Sequence, residues 1–295
     1  MDIVILRFMK TENFPASSSK KKLIRVAKIA FAFYALAGIA VYHLQEKFMF
    51  HPTPLEANAA FSFPDLHKEV NIQVDASTNY NLVQFTTPDT PKGVVLYFHG
   101  NMENVNHYAA AAKNFTSNGY EIWMIDYPGF GKSSGELTEE TMYQQALEVY
   151  KMSRKQFEPS EIIIYGRSIG SGVAAQLASI RDCKRLVLET PYYSLTTLAS
   201  RFLWMYPMEA MSKFKLPTYK YLSKVTAPVT IFHGTEDGVI PYRHAEKLKE
   251  VLKKNDAFIT IKGGSHNDLI SFPIFQQNLR ALLEPAEIKL TTTSL

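Results

Sequence analysis

The segment from Glu161 to Ile180 constrains the fold of this chain more than any other part of the sequence. It begins with the apolar run EIIIY, continues with the pentapeptide GRSIG and ends with the stretch SGVAAQLASI, a pattern typical of strand, tight turn and helix. Glycines at positions 166 and 170 permit the sharp turn, because side chains there would collide with the strained backbone. Such a turn lifts the Ser168 hydroxyl clear of the sheet at a helix N-terminus, where developing negative charge is favoured. Ser168 is therefore the candidate nucleophile.

Strand and helix patterns alternate along residues 65–284, which we predict to form one domain. Continuous apolar runs such as Gly93–Phe98 and Tyr120–Ile125 are typical of strands that are buried on both faces. Helical patterns follow them, for example over residues 138–157 and 273–283. This alternation predicts an α/β fold with a mostly parallel central sheet and helices on both faces. The candidate catalytic residues directly follow strands, at the sheet edge where open α/β sheets bind their ligands.

A serine hydroxyl becomes a good nucleophile only when a base takes its proton, and the eight histidines are the candidates. In a strand–turn–helix site of this kind the chain order is nucleophile, acid, histidine. His266 meets this order, because it follows the last predicted strand in a glycine-containing loop. The acid that orients the imidazole is expected after the preceding strand, where Asp237 and its competitor Glu236 lie. The predicted catalytic triad is Ser168, Asp237 and His266.

An oxyanion hole needs backbone N–H donors directed at the charge that develops on the attacked carbonyl oxygen. One donor is predicted at Ile169, directly after the nucleophile. The other is predicted in the loop 99–102, which follows the strand VVLYF, with the amide of Asn101 favoured. We interpret His99 in this loop as a brace and not as an acid–base group.

Charge and motifs argue against several other classes of site. The net charge of +4 is small, and no Lys/Arg stripe accompanies it, so nucleic acid is not an expected partner. The stretch DYPGFGKS at 126–133 resembles a phosphate-binding loop, but aspartate occupies the first glycine position and no helix follows at once, so we interpret it as a turn. The sequence contains no H-E-x-x-H motif, no paired Cys/His cluster and no calcium loop. Neither a metal nor another cofactor is predicted.

The N-terminal region has the features of a membrane anchor. Residues 1–22 end in three lysines, and residues 29–45 contain no Asp, Glu, Lys or Arg. A helix over residues 23–45 is long enough to cross ~30 Å of hydrocarbon if its flanking basic side chains reach the interface. The basic residues before the span favour a cytoplasmic N-terminus, with the domain on the far side of the membrane. A cleaved signal peptide and a buried helix of the domain are the alternatives.

Three further segments are defined by composition and length. Residues 46–64, rich in proline and alanine, are predicted to link the anchor to the domain, and residues 285–295 to form a tail. Residues 191–224 are too many for a usual loop and are predicted to form a short helical lid insertion. This insertion combines many aromatic residues with five basic residues and one acidic residue. Two interpretations stay open: an apolar acyl pocket with a basic rim, and a helical insertion whose aromatic residues pack on the core.

The chain resembles the membrane-anchored α/β-hydrolase-domain proteins related to the serine aminopeptidase and prolyl oligopeptidase branches, which include protein depalmitoylases. The resemblance covers residues 45–284 and is carried by five motifs in order: HGN, DYPGFG, GRSIG, HGTED and GGSHND. It implies an α/β-hydrolase fold, the triad Ser168, Asp237 and His266, and oxyanion donors around Asn101 and Ile169. One departure is visible: these relatives often read H-G-N-x-G-N, and here a glutamate at position 103 replaces the second glycine.

Together, the residues and the resemblance predict acyl transfer to water. Ser168 attacks an ester, thioester or amide carbonyl, and His266 accepts its proton. Asp237 stabilises the imidazolium, and the amides of Asn101 and Ile169 hold the oxyanion. The expected substrate is a small ester or an acyl-lipid or acyl-protein. The alternatives are a serine peptidase of the same fold and a non-catalytic, membrane-tethered binding module.

Overall fold

The structure, a computed structural model, describes residues 17–284 of the chain. The chain divides into an N-terminal unit that ends at Leu44 and a larger unit that begins at Gln45. The predicted tail 285–295 and most of the predicted segment 1–22 lie outside the described residues.

The first element is a long helix, α1, at Ser17–Met49. Its portion Ser19–Met49 is long and apolar enough to span a membrane, with a mean hydropathy of 1.8 in its most apolar window, of which 6% is buried. By length and composition α1 is therefore a candidate membrane span, and the same features fit a signal sequence.

Ten strands follow α1 in the described chain. They are β1 His51–Pro52, β2 His67–Gln73, β3 Asn79–Phe85, β4 Gly93–Phe98, β5 Met102–Glu103, β6 Tyr120–Ile125, β7 Ile162–Arg167, β8 Arg185–Glu189, β9 Val229–Gly234 and β10 Ala257–Ile261. Eight of them form one sheet in the order β10-β9-β8-β7-β4-β6-β3-β2, in which only the pairs that involve β3 are antiparallel. The prediction of a mostly parallel central sheet is confirmed.

Nine shorter helices connect or flank these strands. They are α2 Val105–Tyr108, α3 Lys113–Thr116, α4 Glu139–Ser153, α5 Gly170–Ile180, α6 Leu195–Phe202, α7 Met208–Met211, α8 Thr218–Leu222, α9 Tyr242–Glu246 and α10 Pro273–Leu283. Helix α4 begins with a reciprocal cap, in which Thr138 Oγ1 accepts from the Thr141 N–H and Thr141 Oγ1 accepts from the Thr138 N–H. Such a cap satisfies donors that the first helical turn leaves unpaired.

The sheet is covered on both faces, and the side chains of β4 show why its sequence is continuously apolar. Val94, Leu96 and Phe98 pack into one core cluster with residues of α4 and α5. Val95 and Tyr97 point to the other face and pack with residues of α3 and α10. Successive strand residues point to opposite faces, so a strand between two helical layers must be apolar at every position.

The segment 46–64, predicted as a linker, is partly integrated into the domain. Helix α1 continues through its first residues to Met49, and Phe50 is 4% exposed in the core. Strand β1 then pairs in parallel with β5, joining His51 to Met102 and Pro52 to Glu103. The first third of this segment is therefore held in place by the end of α1 and by the pairing of β1 with β5. Its proline- and alanine-rich composition did not indicate this.

Candidate active site

Ser168 lies on the turn between β7 and α5 in a strained backbone conformation. Its φ is 52°, in the left-handed region, and its N–H donates to the Glu189 carbonyl at 2.9 Å. A Cβ at position 170 would lie 2.1 Å from the Phe98 carbonyl oxygen, and one at position 166 would lie 2.5 Å from the Gly170 carbonyl oxygen. Both glycines of the pentapeptide are thus required by close backbone approach, and the turn holds a non-glycine residue at a φ that costs on the order of 1–2 kcal/mol.

The structure brings the three predicted catalytic residues together. His266 Nε2 lies 3.0 Å from Ser168 Oγ, and His266 Nδ1 lies 2.8 Å from Asp237 Oδ2. All three side chains are buried, with residue exposures of 8%, 8% and 5% for Ser168, His266 and Asp237. A carboxylate can only accept, so Nδ1 carries the proton and donates to Asp237. The lone pair of Nε2 is then free to accept the Ser168 hydroxyl proton.

Asp237 is held by its own loop. Its Oδ1 accepts the N–H groups of Val239 at 2.9 Å and of Ile240 at 2.7 Å, which leaves Oδ2 for the imidazole. His233 Nε2 lies 2.9 Å from the Ile240 carbonyl and 3.4 Å from Asp237 Oδ2. Burial lowers the pKa of His233, so this neutral ring donates from Nε2 to the carbonyl. The competing acid Glu236 is exposed to solvent.

The loop after β4 lies against the nucleophile. A Cβ on Gly100 would be 3.6 Å from Ser168 Cβ. Among residues 17–284, the backbone N–H groups of Asn101 and Ile169 donate to no protein acceptor. The Asn101 side chain donates to the Met49 carbonyl at 2.7 Å, and its own carbonyl accepts the His51 N–H at 2.9 Å. The end of α1 and strand β1 therefore hold this loop from behind while both predicted oxyanion donors keep free N–H groups.

The glutamate that departs from the H-G-N-x-G-N pattern adopts a conformation that glycine favours. Glu103 has a φ of 54°, and it is one of only four non-glycine residues in the described chain with positive φ. Its carboxylate contacts His107 Nδ1 at 3.0 Å, four residues later. The backbone at this position is thus left-handed despite the side chain, at a cost of about 1–2 kcal/mol.

Comparison with known proteins finds similar chains among α/β-hydrolases. The family model for serine aminopeptidase, S33, matches residues 89–221. The chain is 29% identical over 195 residues to the alpha/beta hydrolase domain-containing protein 17C of Xenopus tropicalis, a match that covers 64% of this chain and 61% of that protein. The protein of the same name from Homo sapiens is 28% identical over 195 residues, covering 64% of this chain and 57% of that protein. The chain thus spans about three fifths of the length of these relatives.

Solved structures share the fold. An esterase from Pyrococcus furiosus superposes with a TM-score of 0.61 at 16% identity, covering 80% of this chain and 97% of that one. The chain has the α/β-hydrolase fold. An α/β-hydrolase from Vibrio vulnificus gives a TM-score of 0.57 at 19% identity, covering 68% of this chain and 75% of that one. The predicted fold class and the resemblance to α/β-hydrolase-domain proteins are both confirmed.

In this fold, His99 and Asp126 brace the loop that carries Asn101. His99 Nε2 lies 3.3 Å from Asp126 Oδ1, and both side chains are completely buried. The same Asp126 oxygen accepts the Val105 N–H at 2.8 Å, and the Tyr127 hydroxyl donates to the His99 carbonyl at 3.1 Å. The stretch that resembled a phosphate loop thus fixes the loop beside the nucleophile through its aspartate and tyrosine.

A cavity of about 170 Å³ lies next to the candidate site, and none of the three predicted catalytic residues is in its lining. It is lined by Arg167 and Asn267, the chain neighbours of Ser168 and His266. Arg167 Nη2 donates to Asn267 Oδ1 at 3.1 Å, and its Nε lies 3.4 Å from Glu189 Oε1. Burial is the largest single effect on Arg167 and opposes its charge, but the Glu189 carboxylate and the neighbouring tyrosines together raise its pKa. Aromatic rings form the other walls, among them Tyr97, Tyr108, Phe115 and Tyr165.

Sequence reasoning missed the Arg167–Glu189 pair. The signal that points to Arg167 is its position inside the pentapeptide, because a residue next to the nucleophile at a strand end must face the sheet edge. Glu189 gives no such signal on its own, since its proximity depends on the parallel pairing of β7 with β8, which sets Arg167 opposite Glu189.

The aromatic residues of the insertion 191–224 fall into two groups. Tyr192 and Phe214 are buried in the core, and the Tyr192 hydroxyl donates to the Ile169 carbonyl at 2.9 Å. Phe202 and Trp204 are exposed by 69% and 79%. The packing interpretation is confirmed for the first group. The second group lies neither in the core nor along the cavity next to the candidate site.

Proposed function

We propose that this α/β-hydrolase is a serine hydrolase that cleaves ester or thioester bonds through an acyl-enzyme intermediate. Ser168 Oγ attacks the carbonyl carbon while His266 Nε2 takes its proton, and His266 then returns that proton to the departing alcohol or thiol. A water molecule, deprotonated by His266, attacks the acyl-enzyme and releases the acid and free Ser168. The observation that carries the proposal is the continuous hydrogen-bonded chain from Ser168 through His266 to Asp237.

We further propose that the N–H groups of Asn101 and Ile169 stabilise the negative oxygen of each tetrahedral intermediate. Three features support this: neither donor is engaged within the described chain, the loop of Asn101 lies against Ser168, and Ile169 precedes helix α5. Donors that are already oriented need no reorganisation when charge develops, so each contributes about 3–4 kcal/mol to lowering the barrier.

The proposed substrate is an acyl chain attached to a lipid or protein at a membrane. The candidate span in α1 supports this choice, because it would confine the domain to a bilayer surface. The exposed aromatic residues of the insertion and the resemblance to depalmitoylases point the same way. We propose that α1 is a single-pass anchor with its N-terminus in the cytoplasm, as the lysines in its first turns favour. Protease protection in sealed vesicles tests that orientation.

A peptidase is the second candidate, because the matching family model is named for a serine aminopeptidase. An aminopeptidase must bind a free ammonium group, which a carboxylate near the nucleophile would recognise. Among the described residues that line the cavity next to the candidate site, Glu189 is the one carboxylate, and Arg167 already neutralises it. This pairing disfavours an acyl group that carries a free ammonium, and it therefore favours an uncharged acyl group bound as an ester or thioester.

Two measurements test the proposed function. A fluorophosphonate probe should label the full-length chain in detergent and fail to label Ser168→Ala. Hydrolysis of p-nitrophenyl esters, graded from acetate to palmitate, then gives the preferred acyl length. Ser171→Ala is the matched control, because this serine lies three residues further on, is fully buried, and its hydroxyl has no hydrogen-bond partner among the described residues.

The outcomes separate the candidates. Labelling and ester hydrolysis that survive in Ser171→Ala and vanish in Ser168→Ala support the proposal. Equal labelling of wild type and Ser168→Ala would exclude Ser168 as the nucleophile. Labelling of Ser168 together with cleavage of aminoacyl amides, and no ester hydrolysis, would favour the peptidase. A folded wild type that the probe does not label would favour the binding module.

A further inference from the structure

The last residue of α6 and the loop that follows it expose two large aromatic side chains, which are two positions apart in the sequence. Phe202 is 69% exposed and Trp204 is 79% exposed, whereas the other tryptophan of the chain, Trp123, is 1% exposed. Single exposed apolar residues are normal, but two exposed aromatic residues so close together in an insertion indicate a surface that meets an apolar partner. We call residues 202–204 the aromatic tip.

The insertion that carries the aromatic tip is fastened to the end of the candidate span. The Lys213 N–H donates to Gln45 Oε1 at 2.7 Å, and Gln45 Nε2 donates to the Met211 carbonyl at 3.2 Å. Lys213 Nζ also contacts Glu46 Oε1 at 2.8 Å. Glu46 is the first charged residue after the uncharged stretch 29–45. Where such a stretch ends, the hydrocarbon of a bilayer ends and the headgroup region begins. These three bonds therefore hold the insertion at the level of the headgroups.

Charge and side-chain type at the insertion suit a lipid surface. The insertion carries five basic residues and one acidic residue, and the exposed Arg201 directly precedes the aromatic tip. Arginine and lysine attract anionic headgroups and can keep their stems in the apolar layer. Tryptophan has a large apolar ring and one N–H donor, which makes the headgroup boundary its preferred environment. A second protein would match the aromatic rings equally well, but it would not account for the fastening to Gln45 and Glu46.

We propose that the aromatic tip inserts into the headgroup region of the bilayer and docks the domain on the membrane at a second point besides the span. The insertion also reaches the candidate active site, because Tyr192 donates to the carbonyl of Ile169. Docking through the tip therefore fixes the orientation of the nucleophile turn relative to the lipid surface. This inference does not require that the chain be a hydrolase.

The two tryptophans provide the test, since one is exposed at the tip and the other is buried in the core. The full-length chain is reconstituted in vesicles of phosphatidylcholine and phosphatidylserine, with or without bromine on the acyl chains. Bromine quenches tryptophan emission only at short range, and iodide quenches it from the water. Trp123→Phe isolates the signal of Trp204, and Trp204→Phe isolates that of Trp123. If Trp123→Phe fails to fold, subtracting the Trp204→Phe spectrum from that of wild type gives the same signal.

We expect brominated lipid to reduce the emission of Trp204. We also expect iodide to quench Trp204 less in the vesicle-bound protein than in the same protein unfolded in denaturant without detergent. Trp123 is expected to respond to neither quencher. Full quenching of Trp204 by iodide without quenching by brominated lipid would overturn the proposal, because the tip would then lie in water. Protection from both quenchers would also overturn it, since the tip would then be covered by protein, such as a second copy. Failure of the chain to float with the vesicles counts against it as well.

Discussion

The imidazole of His266 lies 3.0 Å from the hydroxyl oxygen of Ser168, although the two residues are 98 positions apart in the chain. The contact depends on strands β7 and β10, because each residue sits in a loop that follows the end of its strand at one edge of the sheet. It also depends on Asp237, whose carboxylate fixes the proton on Nδ1 and thereby leaves Nε2 able to accept.

Replacement of Asp237 by asparagine is expected to lower kcat by on the order of 10⁴-fold, because the amide no longer selects the reactive tautomer. The side chain keeps its size and can still accept from Val239 and Ile240 through its oxygen, so we expect thermal stability to change little. Glu236→Gln is the matched control, since this neighbouring carboxylate is exposed, and it is expected to keep wild-type kcat. Ester kinetics and melting curves of both variants test whether Asp237 orients His266. Similar losses in both variants would contradict the assignment.

Alanine at position 170 is expected to abolish activity and lower Tm strongly. Its Cβ would lie 2.1 Å from the carbonyl oxygen of Phe98, so the start of α5 would have to move away from β4. Gly238→Ala is the control, because a Cβ there meets no atom within 4 Å. That variant is expected to keep its Tm, or to gain up to about 1 kcal/mol in free energy of unfolding because alanine makes the unfolded chain less flexible. A Gly170→Ala protein with normal Tm and activity would show that the turn is not as tight as described.

The left-handed backbone at Glu103 predicts that two substitutions there differ in their effect on stability. Glycine relieves a conformational cost of about 1–2 kcal/mol and adds about 1 kcal/mol of unfolded-chain entropy, so Glu103→Gly is expected to be nearly neutral. Valine is β-branched and disfavours positive φ, so Glu103→Val is expected to lower Tm and to reduce ester hydrolysis by displacing the loop of Asn101. Chemical denaturation measures both. Equal stability of the two variants would be inconsistent with a φ of 54° at this position.

His244 makes stability dependent on pH. Its ring accepts the Tyr193 N–H at Nδ1 at 3.3 Å and lies 3.0 Å from Thr197 Oγ1 at Nε2, an arrangement that suits the neutral form. Burial is the main cause that lowers its pKa from 6.5 to about 4, and the neighbouring Lys247, His233 and Arg201 lower it further. Between those values the unfolded chain binds the additional proton, so stability is complete above the unfolded pKa and is lost as pH falls towards the folded one.

The measurable consequence is a loss of about 2 kcal/mol of unfolding free energy between pH 7 and pH 5 from this residue. In His244→Asn that part of the pH dependence is expected to disappear. His51→Asn, which changes an exposed histidine, is expected to keep the wild-type slope. Denaturation curves at the two pH values compare the three proteins. Identical slopes for wild type and His244→Asn would contradict a depressed folded-state pKa.

Much of the fold follows from local patterns. The apolar runs at β4, β6 and β7 predict buried strands, because a strand between two layers of helices cannot alternate polar and apolar residues. The alanine-containing stretch at 105–116 does not form one helix but α2, a 3₁₀ turn at Ala109–Ala111 and α3. Its alanines carry helix propensity, but its buried residues pack into the core on one face of the sheet, and tertiary packing overrides so weak a preference.

By itself the sequence determined the order of strands and helices, the tight turn at Ser168 and the positions of Asp237 and His266 after their strands. These depend on residues close together in the chain, where side-chain size, periodicity and glycine act directly. Only the tertiary structure decided that His51 pairs with Met102, that Arg167 meets Glu189, and which aromatic residues of the insertion are buried or exposed. Those contacts join distant segments, and composition does not encode which distant segments meet, because that depends on how the whole sheet twists and how its loops close.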